Sequence, residues 1–203
     1  MYISNDLKWS THINHISNLA SAQSYLIIRS FSSRNIWVLL SLFKTYVRPK
    51  LEYNTSFWSP YLAKDIEQIE NVQRQFTKFA FRRCGIPYKS YQDRLYKVNL
   101  KSLQYRRIMY DIILFFKIFS GVSDLNFHEY FILKPNHYYN LRTNNLQVQT
   151  KFNFSFEINQ ISNCFFTRSC QYWNALPQNI VESRTVPEFK RKFNEFDLCC
   201  FVK

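Results

Sequence analysis

Glycine is nearly absent from this 203-residue chain: only Gly85 and Gly121 occur. Two glycines do not supply the backbone-cradled phosphate loops of nucleotide-binding enzymes or a succession of tight hairpins. Long helices joined by polar loops are expected instead. Cysteine occurs five times, at 84, 164, 170, 199 and 200, with no C-x-x-C pair. The odd count and the lack of a secretory leader point to reduced thiols in an intracellular protein, nuclear or cytoplasmic and not secreted. No two of the aspartates at 6, 65, 93, 111, 124 and 197 are adjacent, so the paired carboxylates that hold two metal ions for polymerase chemistry are missing. Cys164 and Cys170 lack a matching pair, and His12 and His15 lack a third ligand, so no metal site is expected. No serine stands in a G-x-S-x-G elbow. The most apolar stretch, residues 108–119, is interrupted by Asp111 and Lys117 and is too short to span a bilayer, so no membrane association is expected. There is no internal repeat and no low-complexity tract.

Aromatic residues, by contrast, make up 19% of the chain, with 20 Phe, 14 Tyr and 4 Trp. That much apolar surface offsets the entropy of ordering and rules out a disordered chain. Lys and Arg number 27 against 14 Asp and Glu, a formal charge of +13. A field of that sign attracts a polyanion: nucleic acid, an anionic membrane surface or an acidic protein.

The spacing predicts a mainly α protein, a helical bundle over 1–121 followed by a smaller mixed part over 122–203. Ser10 caps a helix carrying Ile13, Ile16, Leu19, Ala20, Gln23, Leu26 and Ile27 on one side. Ser33 starts a second helix with Ile36, Leu39, Leu40, Phe43 and Val47 inward. Trp37 and Val38 add a further apolar side that makes this helix central, and Pro49 ends or kinks it. A third helix runs from about Lys64 to Arg83, with Ile66, Ile69, Val72, Phe76 and Phe79 as its buried stripe. Asp65, Glu67 and Glu70 read as its solvated face, with a Glu70–Arg74 surface pair. Gly85 and Pro87 terminate it. Ser90 caps a short helix, and Ser102 caps the most regular one, striped by Tyr105, Ile108, Met109, Ile112, Phe115, Phe116 and Phe119. After Gly121 the polar stretch 136–150 reads mainly as loop. Phe152, Phe154, Phe156 and Ile158 alternate as a strand, and Leu146 and Val148 offer a partner, giving a short β-hairpin at about 146–158. Two helices close the chain. One runs from Cys164 to Ala175, and the other is opened by the Thr185/Glu188 capping box with Pro187 in its first turn.

Candidate binding residues are the basic side chains that stand beside aromatics: Arg82 and Arg83, Arg106 and Arg107, Arg48 with Lys50, Arg74, and Lys190 with Arg191 and Lys192. Long cationic side chains contact phosphates while neighbouring rings stack on bases. The alternative is that each arginine pairs with an acid or complements a helix C-terminus. Arg106 and Arg107 open their helix, where the dipole disfavours cations, which favours an external anionic partner or a buried acid there.

Several phrases resemble the tail of jockey-like non-LTR (LINE-type) retrotransposon reverse transcriptases. They begin with Ile3-Ser4-Asn5-Asp6-Leu7-Lys8-Trp9-Ser10-Thr11-His12-Ile13. Val47-Arg48-Pro49 follows, then Leu51-Glu52-Tyr53 and Trp58-Ser59-Pro60. Ile69-Glu70-Asn71-Val72-Gln73-Arg74, Arg94-Leu95 and Leu103 with Arg106-Arg107 continue the order. The last are Phe166-Thr167-Arg168, Trp173-Asn174-Ala175-Leu176-Pro177 and Phe189-Lys190. Their order spans nearly the whole chain. The resemblance implies a thumb-like helical region and a C-terminal extension, a post-catalytic fragment of an RNA-directed DNA polymerase that is not an enzyme on its own. The metal-binding aspartates and their Mg²⁺ would belong to an upstream catalytic region, and this part needs no cofactor. Its partners would be an RNA/DNA template-primer duplex and that upstream region. Met1 is then an arbitrary start within a truncated element. The Asn- and Tyr-rich stretch before Phe152 departs from the family, and no Cys-rich knuckle follows Lys190. Leu51, Glu52, Tyr53, Trp58, Pro60, Trp173, Asn174, Leu176 and Pro177 are expected to be structural, with no catalytic residue among them. Two other readings stand beside this one: a non-functional relic, and a stand-alone helical module that binds an acidic protein.

Overall fold

The structure, a computed structural model, describes residues 1–3, 8–135, 146–151 and 163–196. The protein is mainly α with one short antiparallel hairpin. It divides into two compact units, Met1–Arg107 and Ile108–Lys203. The division falls within a long helix, upstream of Gly121, where the composition changes.

The first unit contains α1 (Ser10–Ser30), α2 (Ile36–Leu42), a π-helical turn (Phe43–Val47), α3 (Arg48–Glu52), α4 (Thr55–Trp58), α5 (Ala63–Arg83) and α6 (Tyr91–Lys97). It ends with the opening residues of α7 (Leu103–Phe119). Helices α1 and α5 lie side by side and parallel. Ser10 Oγ donates to Asp65 Oδ2 at 2.8 Å near their starts, Gln68 Nε2 donates to Asn14 Oδ1 at 2.7 Å, and Arg83 Nη1 donates to the Phe31 carbonyl past their ends. Ser10 is therefore the first helical residue and a tether to α5, and Trp9 takes the N-cap position. Asn35, not Ser33, caps α2 by accepting from the Trp37 N–H. Pro49 does not end the helix outright. The turn before it widens to π spacing, which accommodates the missing N–H and the ring.

The core of this unit joins Ile13, Ile16, Ala20 and Ile27 of α1 to Leu39, Leu40, Phe43, Val47, Leu51, Trp58, Ile69, Val72, Phe76, Ala80 and Phe81. Each large side chain fully buried in this way contributes about 1.5–3 kcal/mol. The buried faces differ from the sequence expectation in particular places. Leu19, Leu26, Trp37, Val38 and Phe79 are exposed, while Ser17, Ser24, Gln73 and Thr77 are buried. Both glycines close helices in the left-handed conformation, φ 67° at Gly85 and 68° at Gly121. In each case the next residue's N–H bonds five residues back, Ile86 to Phe81 and Val122 to Lys117. This is a Schellman closure, which only glycine makes without strain.

The second unit contains the rest of α7, then α8 (Phe127–Tyr130), β1 (Phe131–Pro135), β2 (Leu146–Thr150), α9 (Phe165–Asn174), α10 (Gln178–Val181) and α11 (Val186–Glu195). The strand expected at Leu146 and Val148 is present. Its partner is β1, antiparallel from Phe131 opposite Thr150 to Pro135 opposite Leu146. The alternating run Phe152–Ile158 lies outside the described residues, as do the polar segment 136–145 and Cys199-Cys200. The core here is aromatic: Phe116 stacks on Phe189 at 4.3 Å between centroids, and Phe115 meets Trp173 at 4.7 Å and Phe131 at 4.9 Å. Thr185 caps α11 by accepting from the Glu188 N–H, and the Glu188 carboxylate accepts from the Arg184 N–H.

Candidate nucleic-acid interface

Charge is unevenly distributed. Residues 1–107 hold 17 of the 27 Lys and Arg but only 6 of the 14 Asp and Glu, so this unit carries +11 of the formal +13. Its described acids are all engaged. Glu52 binds Arg48 at 3.7 Å and takes a two-pronged contact from Arg106. Asp65 accepts from Ser10, Glu67 pairs with Arg74, and Asp93 bonds Lys97 at 3.2 Å and the Lys89 N–H.

Glu70 is buried and accepts from the Tyr91 hydroxyl and from the backbone N–H groups of Leu103 (2.9 Å) and Gln104 (3.2 Å). A carboxylate on the first N–H groups of α7 satisfies orphan donors and meets the positive end of the helix dipole. Asp65 and Glu70 are therefore not a solvated face, and Arg74 reaches back to Glu67 instead of forward to Glu70. Burial first, and then the Glu70 charge, push the Tyr91 phenol far above its usual range.

These pairings sort the candidate cations. Arg106 and Arg48 converge on Glu52, and Arg107 is buried. Arg74 is held by Glu67, and Lys50 donates to Gln23 at 3.3 Å. Arg83 is tied to the Phe31 carbonyl, and Arg82 is exposed. Lys190 is exposed on α11, in the other unit. Sequence reasoning named Arg94 only within a family phrase and not among the candidate cations. It is buried, donates to Thr77 Oγ1 and the Arg74 carbonyl, and lies 4.5 Å from the centre of the Tyr88 ring. Its position shortly after two tyrosines was the available signal.

Lys8, Lys64, Lys89 and Lys101 are exposed at separate places, and a further group of cations gathers at one end. Because α1 and α5 are parallel, both C-termini face the same way, with Arg29 on α1, and Lys78, Arg82 and Arg83 on α5. Arg34 follows in the loop that receives Arg83. The acids of α5 (Asp65, Glu67 and Glu70) all lie in its first half, and α1 contains none. Cations at helix C-termini are favourable in themselves, and here they also form a surface.

The recognisable phrases serve the fold. Leu51 and Trp58 are buried, and Trp58 Nε1 donates to the Tyr53 carbonyl at 2.7 Å. Tyr53 contributes that carbonyl only, since its ring is exposed. Pro60 is buried. In the second unit Trp173 and Leu176 are buried, and Pro177 precedes α10. The Asn174 amide bonds both the N–H (3.0 Å) and the C=O (2.9 Å) of Val148, covering an edge of the hairpin as a further strand would. Burial, with Cys164 adding to it, pushes the Cys170 thiol up to about 12, leaving it unreactive. Among the described residues no group of three or more His, Cys, Asp or Glu could hold a metal ion, and no helix is long and apolar enough to cross a membrane.

No family model matches the chain, and no solved structure matches it. Among curated proteins it is similar to an uncharacterized protein of Caenorhabditis elegans, 28% identical over 121 residues. The match takes in 60% of this chain and 61% of that protein, so the chain spans less than two thirds of its relative's length.

His12 stands within the first phrase and offers a pH test. It is buried edge-on to Trp58, with ring centroids 5.1 Å apart. Burial holds it below the usual imidazole range, and the α-amino group and His15 add to the effect. With the folded pKa below the unfolded one, the unfolded chain takes up the proton first. Stability from this source is complete above the unfolded value of about 6.5 and is lost as pH falls through it toward the folded value. The melting temperature should therefore drop between about pH 7 and pH 5, and His12→Phe should flatten that slope. An equal slope in the variant would assign the transition to other groups.

Proposed function

We propose that residues 1–107 form a nucleic-acid-binding helical module, the thumb-like accessory region of a non-LTR reverse transcriptase, which grips a template-primer duplex through its phosphates. The observation that carries this reading is the cluster of Arg29, Lys78, Arg82 and Arg83 at the common end of α1 and α5, in a unit whose described acids are all engaged elsewhere. Phosphate contacts of this kind position a duplex without reading its sequence. The family phrases along the chain support the same reading. Polymerisation would belong to an upstream region carrying the paired aspartates and Mg²⁺, and the RNA/DNA duplex and that region would be the partners, inside the cell.

Salt-dependent binding tests it. Wild-type protein should bind unrelated RNA/DNA duplexes with similar affinity. Arg82→Ala and Arg29→Ala should each weaken binding to all of them alike and reduce the slope of log affinity against log salt by about one. A lowered melting temperature with an unchanged slope would mean that these arginines only complement the helix ends. The same preparation should not extend a primer with Mg²⁺ and nucleotides.

A further inference from the structure

Arginine stands three residues before a serine or threonine at two places in the chain, Arg29 before Ser32 and Arg74 before Thr77. The fold treats the two hydroxyls oppositely. Thr77 is 0% exposed within α5, and its hydroxyl donates to the Gln73 and Arg74 carbonyls at 2.9 and 3.1 Å. Ser32 is exposed in the segment that joins α1 to α2, outside any helix or strand. The chain leaves α1 through extended backbone at Phe31 and enters α2 through extended backbone at Asn35. The neighbouring serines are otherwise placed: Ser30 is the last residue of α1, and the Ser33 hydroxyl accepts from the Asn35 N–H at 3.1 Å. An exposed hydroxyl on a connecting segment, with a guanidinium three residues before it, is the charge pattern that arginine-directed serine/threonine kinases read in their substrates.

The surroundings give a phosphate on Ser32 a place to bind. Arg83 of α5 donates to the Phe31 carbonyl, which belongs to the peptide group joining Phe31 to Ser32. Its guanidinium is therefore held against the backbone that carries the Ser32 side chain. Arg29 lies three residues before Ser32 and Arg34 two residues after it. Both are exposed, as is Arg82 beside Arg83 at the end of α5. A phosphoserine carries a charge of about −1.5 to −2 at neutral pH, and opposite an arginine cluster it gains about 1–3 charge-assisted hydrogen bonds. The negative ends of α1 and α5 oppose it, but each amounts to roughly half a unit charge. Arg29, Arg34, Arg82 and Arg83 each bring a whole positive one, so attraction wins.

We infer that Ser32 is a phosphorylation site of an arginine-directed serine/threonine kinase, and that its phosphate turns off polyanion binding at the common end of α1 and α5. On the kinase, Ser32 Oγ attacks the γ-phosphorus of ATP, the bond from that phosphorus to the β-phosphate oxygen breaks, and ADP leaves. The hydroxyl proton passes to the kinase's catalytic carboxylate. The phosphate then takes hydrogen bonds from Arg29, Arg34 and Arg83, and so occupies cations that otherwise meet a duplex. The switch rests on the function proposed above, whereas the acceptor site and its arginine clamp do not.

The test treats the 203-residue chain with an arginine-directed serine/threonine kinase and ATP. Its intact mass should rise by one phosphate that maps to Ser32, and Ser32→Ala should abolish the gain. Ser32 and Arg34 are exposed, so both variants keep the fold, and their melting temperatures check this. A phosphorus NMR titration should place the second ionisation of the phosphate below its ordinary value of about 6, because neighbouring guanidiniums favour the dianion. Arg34→Ala should raise it again. On RNA/DNA duplexes the phosphorylated chain should bind at least about tenfold more weakly, with the slope of log affinity against log salt reduced by about two. Ser32→Ala taken through the same treatment should bind as the unmodified chain does. No phosphate on Ser32 would overturn the inference, and an ordinary ionisation near 6 would overturn the clamp. Unchanged duplex binding after phosphorylation would overturn the switch and leave the function proposed above standing. An unmodified chain that binds no duplex would overturn that function and the switch together, while the mass and the ionisation still decide the acceptor site and its clamp.

Discussion

Trp58→Ala is expected to lower stability by about 3–5 kcal/mol, the range for emptying the site of a buried aromatic. The ring is 1% exposed, its indole N–H donates to the Tyr53 carbonyl at 2.7 Å, and His12 packs edge-on against it. The truncation opens a cavity and leaves a carbonyl without its donor. Trp58→Phe separates the two contributions, because it keeps most of the ring and loses only the hydrogen bond, at about 1 kcal/mol. Denaturant melts of the two variants check both values. A wild-type midpoint for Trp58→Ala would remove this tryptophan from the core.

Asp111→Ala is expected to cost a similar amount in the other unit. Arg168 and Asp111 form a two-pronged pair at 2.8 and 3.2 Å, with side chains only 8% and 2% exposed. Arg168 also donates to the Asn163 carbonyl. Removing the aspartate takes away the carboxylate to which this buried guanidinium donates twice, at about 3–5 kcal/mol. Replacing both residues by apolar ones of similar volume, Asp111→Leu with Arg168→Met, should recover most of that loss, since the desolvation of two charges is then avoided. A double variant no more stable than Asp111→Ala would show that the pair contributes net stability beyond mutual neutralisation.

The helix ends that were legible in the sequence are those whose chemistry is local. Gly85 and Gly121 close α5 and α7, Ser90 and Ser102 accept from N–H groups three residues on, and Thr185 with Glu188 opens α11. Strand β1 was not legible. Phe-Ile-Leu-Lys-Pro has no alternation, and its strand character comes from pairing with Leu146–Thr150. The candidate site was legible in its charge and not in its assignment. Arg106 stands out at a helix start, and its acid, Glu52, lies 54 residues away. Glu70 reads as a surface residue of α5 until Leu103, Gln104 and Tyr91 are brought over it.

By itself, the sequence determined that the protein is mainly α, where α5, α6, α7 and α11 are capped or closed, and that most of its positive charge lies in the first half. Those properties depend on spacing, capping side chains and composition, all set within a few residues. The tertiary structure alone decided which helix faces are buried and which cations are occupied. It turned Ser17 and Ser24 inward and Leu19, Leu26 and Phe79 outward. It gave Asp65 to Ser10, Glu52 to Arg106 and Asp111 to Arg168, each across more than fifty residues. Burial and ion pairing are properties of what a residue is packed against, and a parallel pair of helices from distant parts of the chain is not written in either helix.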